Sequence, residues 1–196
     1  MGARTGQAHR KTKETDVSVK LAIDGTGEGR IATGVAFFDH MLELFARHGL
    51  MDLNVKAAGD LQVDAHHTVE DVGIALGKAL AEALADKSGI VRVGSATVPM
   101  DDALAQAAVD ASGRPYLVFQ AKFASEKIGA MDSELVQDFL RALAVHGGLN
   151  LHVSVPYGEN SHHVCEAIFK AVARALRAAC AIDPREKGIP STKGVL

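Results

Sequence analysis

Asp64-Ala65-His66-His67-Thr68-Val69-Glu70-Asp71 is the stretch that decides how the chain is built, because a variant of it returns near the other end as Asn160-Ser161-His162-His163-Val164-Cys165-Glu166. Both copies open an alanine-rich run. On a helix each side chain turns about 100° from the one before it. His66 and Glu70 then share a face, one turn apart, and suit chelation of one cation. His67 points about 100° away and must serve a different ion. Each copy therefore reads as half of two metal sites, with a second copy supplying the other halves.

Outward from these two segments the match continues in register. At a spacing of 96, His66, His67, Glu70, Ala75, Ala79 and Leu80 meet His162, His163, Glu166, Ala171, Ala175 and Leu176. At a spacing of 98, Leu42, Ala46, His48, Gly49, Leu53 and Val55 meet Leu140, Ala144, His146, Gly147, Leu151 and Val153. Twelve identities with one two-residue slip indicate an internal duplication. The expectation is one pseudo-twofold α/β unit whose halves pack helix face to helix face.

Within the first half, Asp16 to Asp24 alternates as a half-buried strand. Gly25 to Gly29 reads as a hairpin turn, with Arg30 to Ala36 returning as its partner. Phe37 to His48 reads as a helix stopped by Gly49, Met51 to Ala57 as a strand, and 66–86 as the first long helix. Ile90 to Val98 reads as a strand ended by Pro99. In the second half, Leu104 to Ala111 and Tyr116 to Phe123 read as a strand pair. Ser133 to His146 is a helix, Leu149 to Val155 a strand, and His162 to Ala181 the second long helix. Residues 1–9 read as a flexible N-terminus, 10–190 as one catalytic unit with halves at about 10–95 and 96–185, and 191–196 as a tail.

Composition narrows the function classes. The chain has 196 residues, 47% of them hydrophobic, but only 5% aromatic with no Trp, so the core is expected to be aliphatic. A net charge of −3 provides no basic excess to neutralise phosphates, which argues against nucleic acid as partner. No run of eighteen apolar residues is present, which argues against a membrane span. Met1 to Arg10 lacks the apolar centre of a signal peptide. Cys165 and Cys180 are too few for a disulfide framework and read as small buried apolar residues in a reducing, cytoplasmic compartment.

A lone histidine is usually a satisfied core residue. Two His-His-x-x-Glu segments at helix starts are different, because adjacent imidazoles and a carboxylate gain nothing from burial. Their mixed nitrogen and oxygen donors suit Mn(II), Fe(II) or Zn(II) over thiolate-preferring metals. His40, in Phe37-Phe38-Asp39-His40-Met41-Leu42, is the natural seventh ligand, with Asp39 placed to orient its ring. Its duplication partner is Asp138, an oxygen donor on a shorter arm. His146 and His152 are reserve candidates.

These runs, with Pro99-Met100-Asp101-Asp102-Ala103-Leu104, Ser112-Gly113-Arg114-Pro115-Tyr116 and Ser191-Thr192-Lys193-Gly194-Val195-Leu196, resemble the imidazoleglycerol-phosphate dehydratases of histidine biosynthesis over about residues 10 to 196. The resemblance implies a duplicated α/β unit with ribosomal-protein-like βαβ halves, in which a four-helix bundle is sandwiched between two four-stranded mixed sheets. It implies a homo-oligomer of 24 subunits with active sites shared between subunits and two Mn(II) ions in each. By position, His40, His66, His67, Glu70, His162, His163 and Glu166 match the family's metal ligands. Where relatives carry a Glu-His-Phe run this chain has Gln137-Asp138-Phe139; direct ligation by Asp138, ligation through water, and a position left to substrate are all open. Glu14 matches a substrate-contacting acid, His48 falls in a segment lining the substrate site, and Arg92, Arg114, Ser191 and Lys193 match the phosphate pocket.

The implied reaction removes water from D-erythro-imidazoleglycerol phosphate through a metal-bound imidazolate and a diazafulvene, with Glu14 and Glu166 as proton carriers. Two rival readings use the same residues. One is a dinuclear hydrolase acting on a phosphorylated small molecule; the other is an RNA- or partner-binding module with structural zinc, against which the acidic balance counts.

Overall fold

The structure, a computed structural model, describes residues 4–194 and 196. The first half runs β1 (Thr5–Lys11), β2 (Thr15–Ala22), β3 (Gly29–Ala32), α1 (Ala36–Gly49), β4 (Asp52–Gly59) and α2 (His66–Leu84). The second half repeats that order as β5 (Val93–Met100), β6 (Ala103–Asp110) and β7 (Tyr116–Gln120), then α3 (Leu135–Gly147), β10 (Asn150–Tyr157) and α4 (Ser161–Cys180). A short hairpin of β8 (Lys127–Ile128) and β9 (Met131–Asp132) is inserted between β7 and α3. The two four-stranded sheets have matching orders, β1-β2-β4-β3 and β5-β6-β10-β7.

Helices of one half pack on helices of the other, α2 on α3 and α1 on α4, while α2 lies against β1 and β2 and α4 against β5 and β6. The result is the expected helical layer between two mixed sheets. Val17, Val19 and Leu21 of β2 face inward beside Leu53 and Val55 of β4, as the alternation requires. The core is not purely aliphatic: Phe38, Phe45, Phe139 and Phe169 are its largest fully buried side chains. Phe139 stacks on Phe169 at 5.4 Å and meets Phe38 edge-on at 5.2 Å, joining both halves at the centre.

The expected hairpin at Gly25–Gly29 is not formed. The Asp52 carboxylate accepts the backbone N–H groups of Thr26 (2.7 Å), Gly27 (3.0 Å) and Glu28 (3.0 Å). That holds the loop at the start of β4, so β3 is delivered to the far side of β4 and pairs with it in parallel. β3, α1 and β4 thus make a crossover unit, which parallel pairing demands. Likewise β7 pairs in parallel with β10 rather than with β6, α3 being the crossover.

Other boundaries also move. Thr5 to His9, expected to belong to a flexible N-terminus, lie in β1, which pairs antiparallel with β2 along its whole length; residues 1–3 of that segment, and Val195 of the tail, fall outside the described residues. β5 continues through Pro99 to Met100, because it is an edge strand and a missing N–H costs nothing on its open side. Gly49 is the last residue of α1 rather than its stop; Leu50 takes the left-handed cap at φ 50, where the other half uses Gly148 at φ 63.

Glycine marks the closest approach of helix to sheet in each half. A Cβ on Gly6 of β1 would overlap the Ala79 carbonyl oxygen of α2, and one on Gly94 of β5 would overlap the Ala175 carbonyl oxygen of α4. These are matching positions in the duplication. Both long helices thereby lie flat on their sheets.

Candidate metal centre

The helix starts are fixed by short polar side chains. Asn160 caps α4, its side-chain oxygen accepting the N–H of His162 at 2.9 Å, and Asp64 accepts the N–H of His66 at 2.8 Å. The adjacent imidazole planes at each start stand nearly perpendicular, 88° for His66 and His67 and 84° for His162 and His163, with centroids 6.1 Å apart. In both copies the two rings have different carboxylate partners: His162 faces Glu166 and His163 Asp102, while His66 faces Asp138 and His67 Asp60.

On α4 three donors converge. Glu166 Oε1 lies 3.0 Å from His162 Nε2 and 3.1 Å from Nε2 of His40, which α1 contributes. Among the described residues this is the group of three whose donor atoms all lie within 4.8 Å of one another. Glu166 is only 7% exposed. Burial pushes its carboxyl up, but hydrogen bonds from Lys170, His40 and His162 outweigh burial and hold it at about 2. A carboxylate kept ionised against two imidazole nitrogens is a donor set that fits a divalent ion of the Mn, Fe or Zn type. Asp39 does not orient His40; it accepts from the Thr33 N–H at 2.9 Å and the Thr33 hydroxyl at 2.5 Å, anchoring the start of α1.

The pseudo-twofold counterpart brings α2 and α3 together more loosely. His66 Nδ1 stands 4.0 Å from Asp138 Oδ2, whose other oxygen accepts from Arg141 at 2.9 Å. Glu70, one turn along α2, is exposed. The second imidazole of each pair turns to a different carboxylate. His67 Nδ1 meets both Asp60 oxygens at 3.1 and 3.2 Å, and His163 Nδ1 meets Asp102 at 2.5 Å, with Asp101 3.4 Å from its Nε2. The hydrogen bond to Asp60 raises the His67 pKa and the bond to Asp102 raises that of His163. Glu14 is exposed in the β1–β2 turn, and its carbonyl accepts the Asp60 N–H at 3.1 Å, which puts it beside His67.

The remaining candidates gather elsewhere. Arg92 is held bidentately by Asp110, at 2.7 and 3.1 Å, and donates to the Pro190 carbonyl at 2.9 Å, so it ties down the base of the tail carrying Ser191 and Lys193. Arg114 is exposed, 4.0 Å from Asp110. His48 lies two turns along α1 from His40; burial, then Lys170 and Arg174, lower its pKa. His146 is its counterpart, lowered by burial and by Lys78 and Arg10. His152 is exposed on the outer face of β10, apart from both clusters.

Three further side chains, Lys170, Asp60 and Asp102, hold these groups and are not among the candidates the sequence singles out. Lys170 donates to Glu166 Oε2 at 2.6 Å, a contact that its i, i+4 spacing announces. Asp102 lies 61 residues from His163, and Asp60, though only seven from His67, sits in the β4–α2 loop, off the helix, so no helical spacing relates it to the ring.

With this geometry in view, the comparisons with known proteins agree with one another. The model of the family described as imidazoleglycerol-phosphate dehydratase matches residues 33–176. The chain is 59% identical to the imidazoleglycerol-phosphate dehydratase of Methylorubrum extorquens, covering 98% of this chain and 100% of that one. It is 62% identical to that of Dinoroseobacter shibae, covering 95% and 96%. The crystal structure of the Staphylococcus aureus enzyme superposes with a TM-score of 0.83 at 41% identity, covering 91% of this chain and 99% of that one. That of the Pyrococcus furiosus enzyme also gives 0.83, at 37% identity, covering 96% and 100%.

Proposed function

The chain belongs to the imidazoleglycerol-phosphate dehydratase family, carbon–oxygen lyases of histidine biosynthesis, and we propose that it dehydrates D-erythro-imidazoleglycerol phosphate on two Mn(II) ions. His40, His66, His67, Glu70, His162, His163 and Glu166 would hold the ions, with Asp138 as the eighth candidate. The observation that carries this reading is the convergence of His40, His162 and Glu166, built from two helices of different halves. When bound, the ions would acidify both imidazole nitrogens and hold the ring as imidazolate. That activation would favour loss of the neighbouring hydroxyl and of the next carbon-bound proton, with Glu14 and Glu166 carrying the protons, to give imidazoleacetol phosphate.

Two carboxylates are the proton carriers in this scheme, and their surroundings divide the work. Both oxygens of Glu166 are occupied, one by the two imidazoles and one by Lys170. Glu14 is exposed and is the freer base. Arg114, Ser191 and Lys193 would receive the phosphate, with Arg92 fixing the tail's base. His48, kept neutral, would line the substrate site.

Distance supports a site shared between subunits. His163 stands at the start of α4, whereas the Arg92 N–H binds the Ala179 carbonyl near its end. Sixteen residues of helix put about 24 Å between them. A substrate a few bonds long would not span that distance, which supports a site in which the phosphate residues meet the metal ligands of another copy. A 24-subunit shell is the assembly proposed, in the cytoplasm; no helix among the described residues is long and apolar enough to cross a membrane.

The test is direct. Purified protein with added Mn(II) should convert the substrate to a ketone measurable as its enolate absorbance in alkali. Release of inorganic phosphate without ketone would instead favour a hydrolase. Lys193→Ala should raise KM about tenfold, roughly 1.4 kcal/mol of phosphate binding, with bound Mn(II) unchanged. An unaltered KM would remove Lys193 from the phosphate pocket.

A further inference from the structure

The two imidazoles that turn away from the converged triad are each held at Nδ1 by an aspartate, and the two aspartates come from different places. Asp60 lies in the β4–α2 loop of the first half. At the spacing that relates the long helices or the preceding strands, its counterparts are Pro156 to Gly158, none of them acidic. Asp102 lies in the β5–β6 turn of the second half, and its counterpart in the β1–β2 turn is Glu14. The same hydrogen bond has therefore been built twice from unrelated loops. A contact inherited through the duplication would sit at matching positions. One assembled independently in each half marks a requirement of the ring it holds.

We infer that Asp60 and Asp102 are positioning residues that fix the Nδ1–H tautomer of His67 and His163 and leave Nε2 of each ring as the metal-binding atom. The inference rests on the metal reading given above. An ionised carboxylate only accepts, so the ring nitrogen facing it must carry the proton. In the neutral ring the lone pair is then on Nε2; Asp101 stands 3.4 Å from His163 Nε2 but is exposed and makes no hydrogen bond to it, unlike Asp102 at Nδ1. Asp102 is itself braced, accepting the Glu159 and Asn160 N–H groups at 2.7 and 2.9 Å, so it holds the ring at a set angle. Asp60 has the His67 ring as its one side-chain partner among the described residues. A carboxylate behind a ligating imidazole also raises the ring's basicity.

The arrangement accounts for a difference between the halves. In the second half the acid of the turn, Asp102, is committed to its imidazole. In the first half Asp60 holds the ring, and the acid of the turn, Glu14, is left unengaged beside it. Duplication followed by this substitution of partners separates a positioning carboxylate from one free to move protons.

Asp60→Ala is the cleaner test, since Asp102 also braces a loop; Asp102→Asn, which keeps an acceptor, is the milder companion. Mn(II) affinity would be measured by calorimetry on the full-length protein, with 15N magic-angle-spinning spectra of the histidine-labelled, metal-free form. Asp60→Ala should weaken Mn(II) binding 10- to 100-fold and move the His67 proton off Nδ1, with the melting temperature of the metal-free protein unchanged. Asp102→Asn should lose less affinity and keep the His163 tautomer. Wild-type affinity in Asp60→Ala, or weakened affinity with the proton still on Nδ1, would overturn the inference while leaving the metal reading intact. A wild-type protein that takes up no Mn(II) would overturn both.

Discussion

Replacing Glu166 by Gln is expected to lower kcat/KM by at least about a thousand-fold, roughly 4 kcal/mol of transition-state stabilisation. The amide has the same shape, so packing is preserved and the loss is one of charge. In the native chain one oxygen faces His40 and His162 while the other holds the Lys170 ammonium at 2.6 Å. Glutamine offers one neutral oxygen to that work and turns an NH2 donor toward either the imidazoles or the lysine. On the proposed reading a divalent ion would lose its anionic ligand, and Lys170, itself mostly buried, loses its counter-charge. Metal analysis beside steady-state kinetics at saturating Mn(II) checks this. Activity within tenfold of wild type at full metal content would remove Glu166 from the ligand set.

The second large effect is on folding. Gly94→Val should destabilise the protein by about 3 kcal/mol or more, a fall in melting temperature of about 6–12 °C for a chain of this size. The new side chain has nowhere to go: its Cβ would overlap the Ala175 carbonyl and crowd the Ala179 N–H and the Ala178 methyl group. All lie on α4, so relief requires lifting the helix from its sheet and with it His162, His163 and Glu166. Gly6→Val should do the same through Ala79 of α2. Gly29→Ala is the control, since its Cβ would make only ordinary contacts of 3.5 Å and beyond. A valine at position 94 that leaves the melting curve unmoved would contradict the flat helix-on-sheet packing.

What could be read in the sequence was what repeats. The His-His-x-x-Glu segments, the Ala79 and Ala175 faces and the inward alternation of Leu53, Val55, Leu151 and Val153 carry their period in a few consecutive residues. The two parallel pairings are not legible for one reason: a short link carrying glycine or proline after a strand looks like a hairpin whichever neighbour the next strand joins. The determinant for β3 is the Asp52 carboxylate, more than twenty residues beyond the loop it holds. β1 is hidden because Thr5 to Lys11 is polar, with no apolar alternation. It gains its place from a helix pressed onto Gly6 and from pairing with β2, neither visible locally.

The site shows the same division. His40, His162 and Glu166 came from a family motif and a helical period, and they do converge. The partners that hold the other imidazoles, Asp60 and Asp102, are set by where loops end in space. Asp138 faces His66 at 4.0 Å from its own half's helix, which gives the departure from the family's His run a place in the fold.

The central claim is that imidazoles splayed from twin helix starts bind the metal on which the dehydration depends. It is tested most directly by measuring bound Mn(II) and ketone formation in the same samples of wild type and of the His67→Ala, His163→Ala double variant. The account predicts two ions per chain and sustained turnover in the wild type, with both lost together in the variant. Turnover that survives in the variant, or that proceeds at the wild-type rate after the metal is removed, would contradict it.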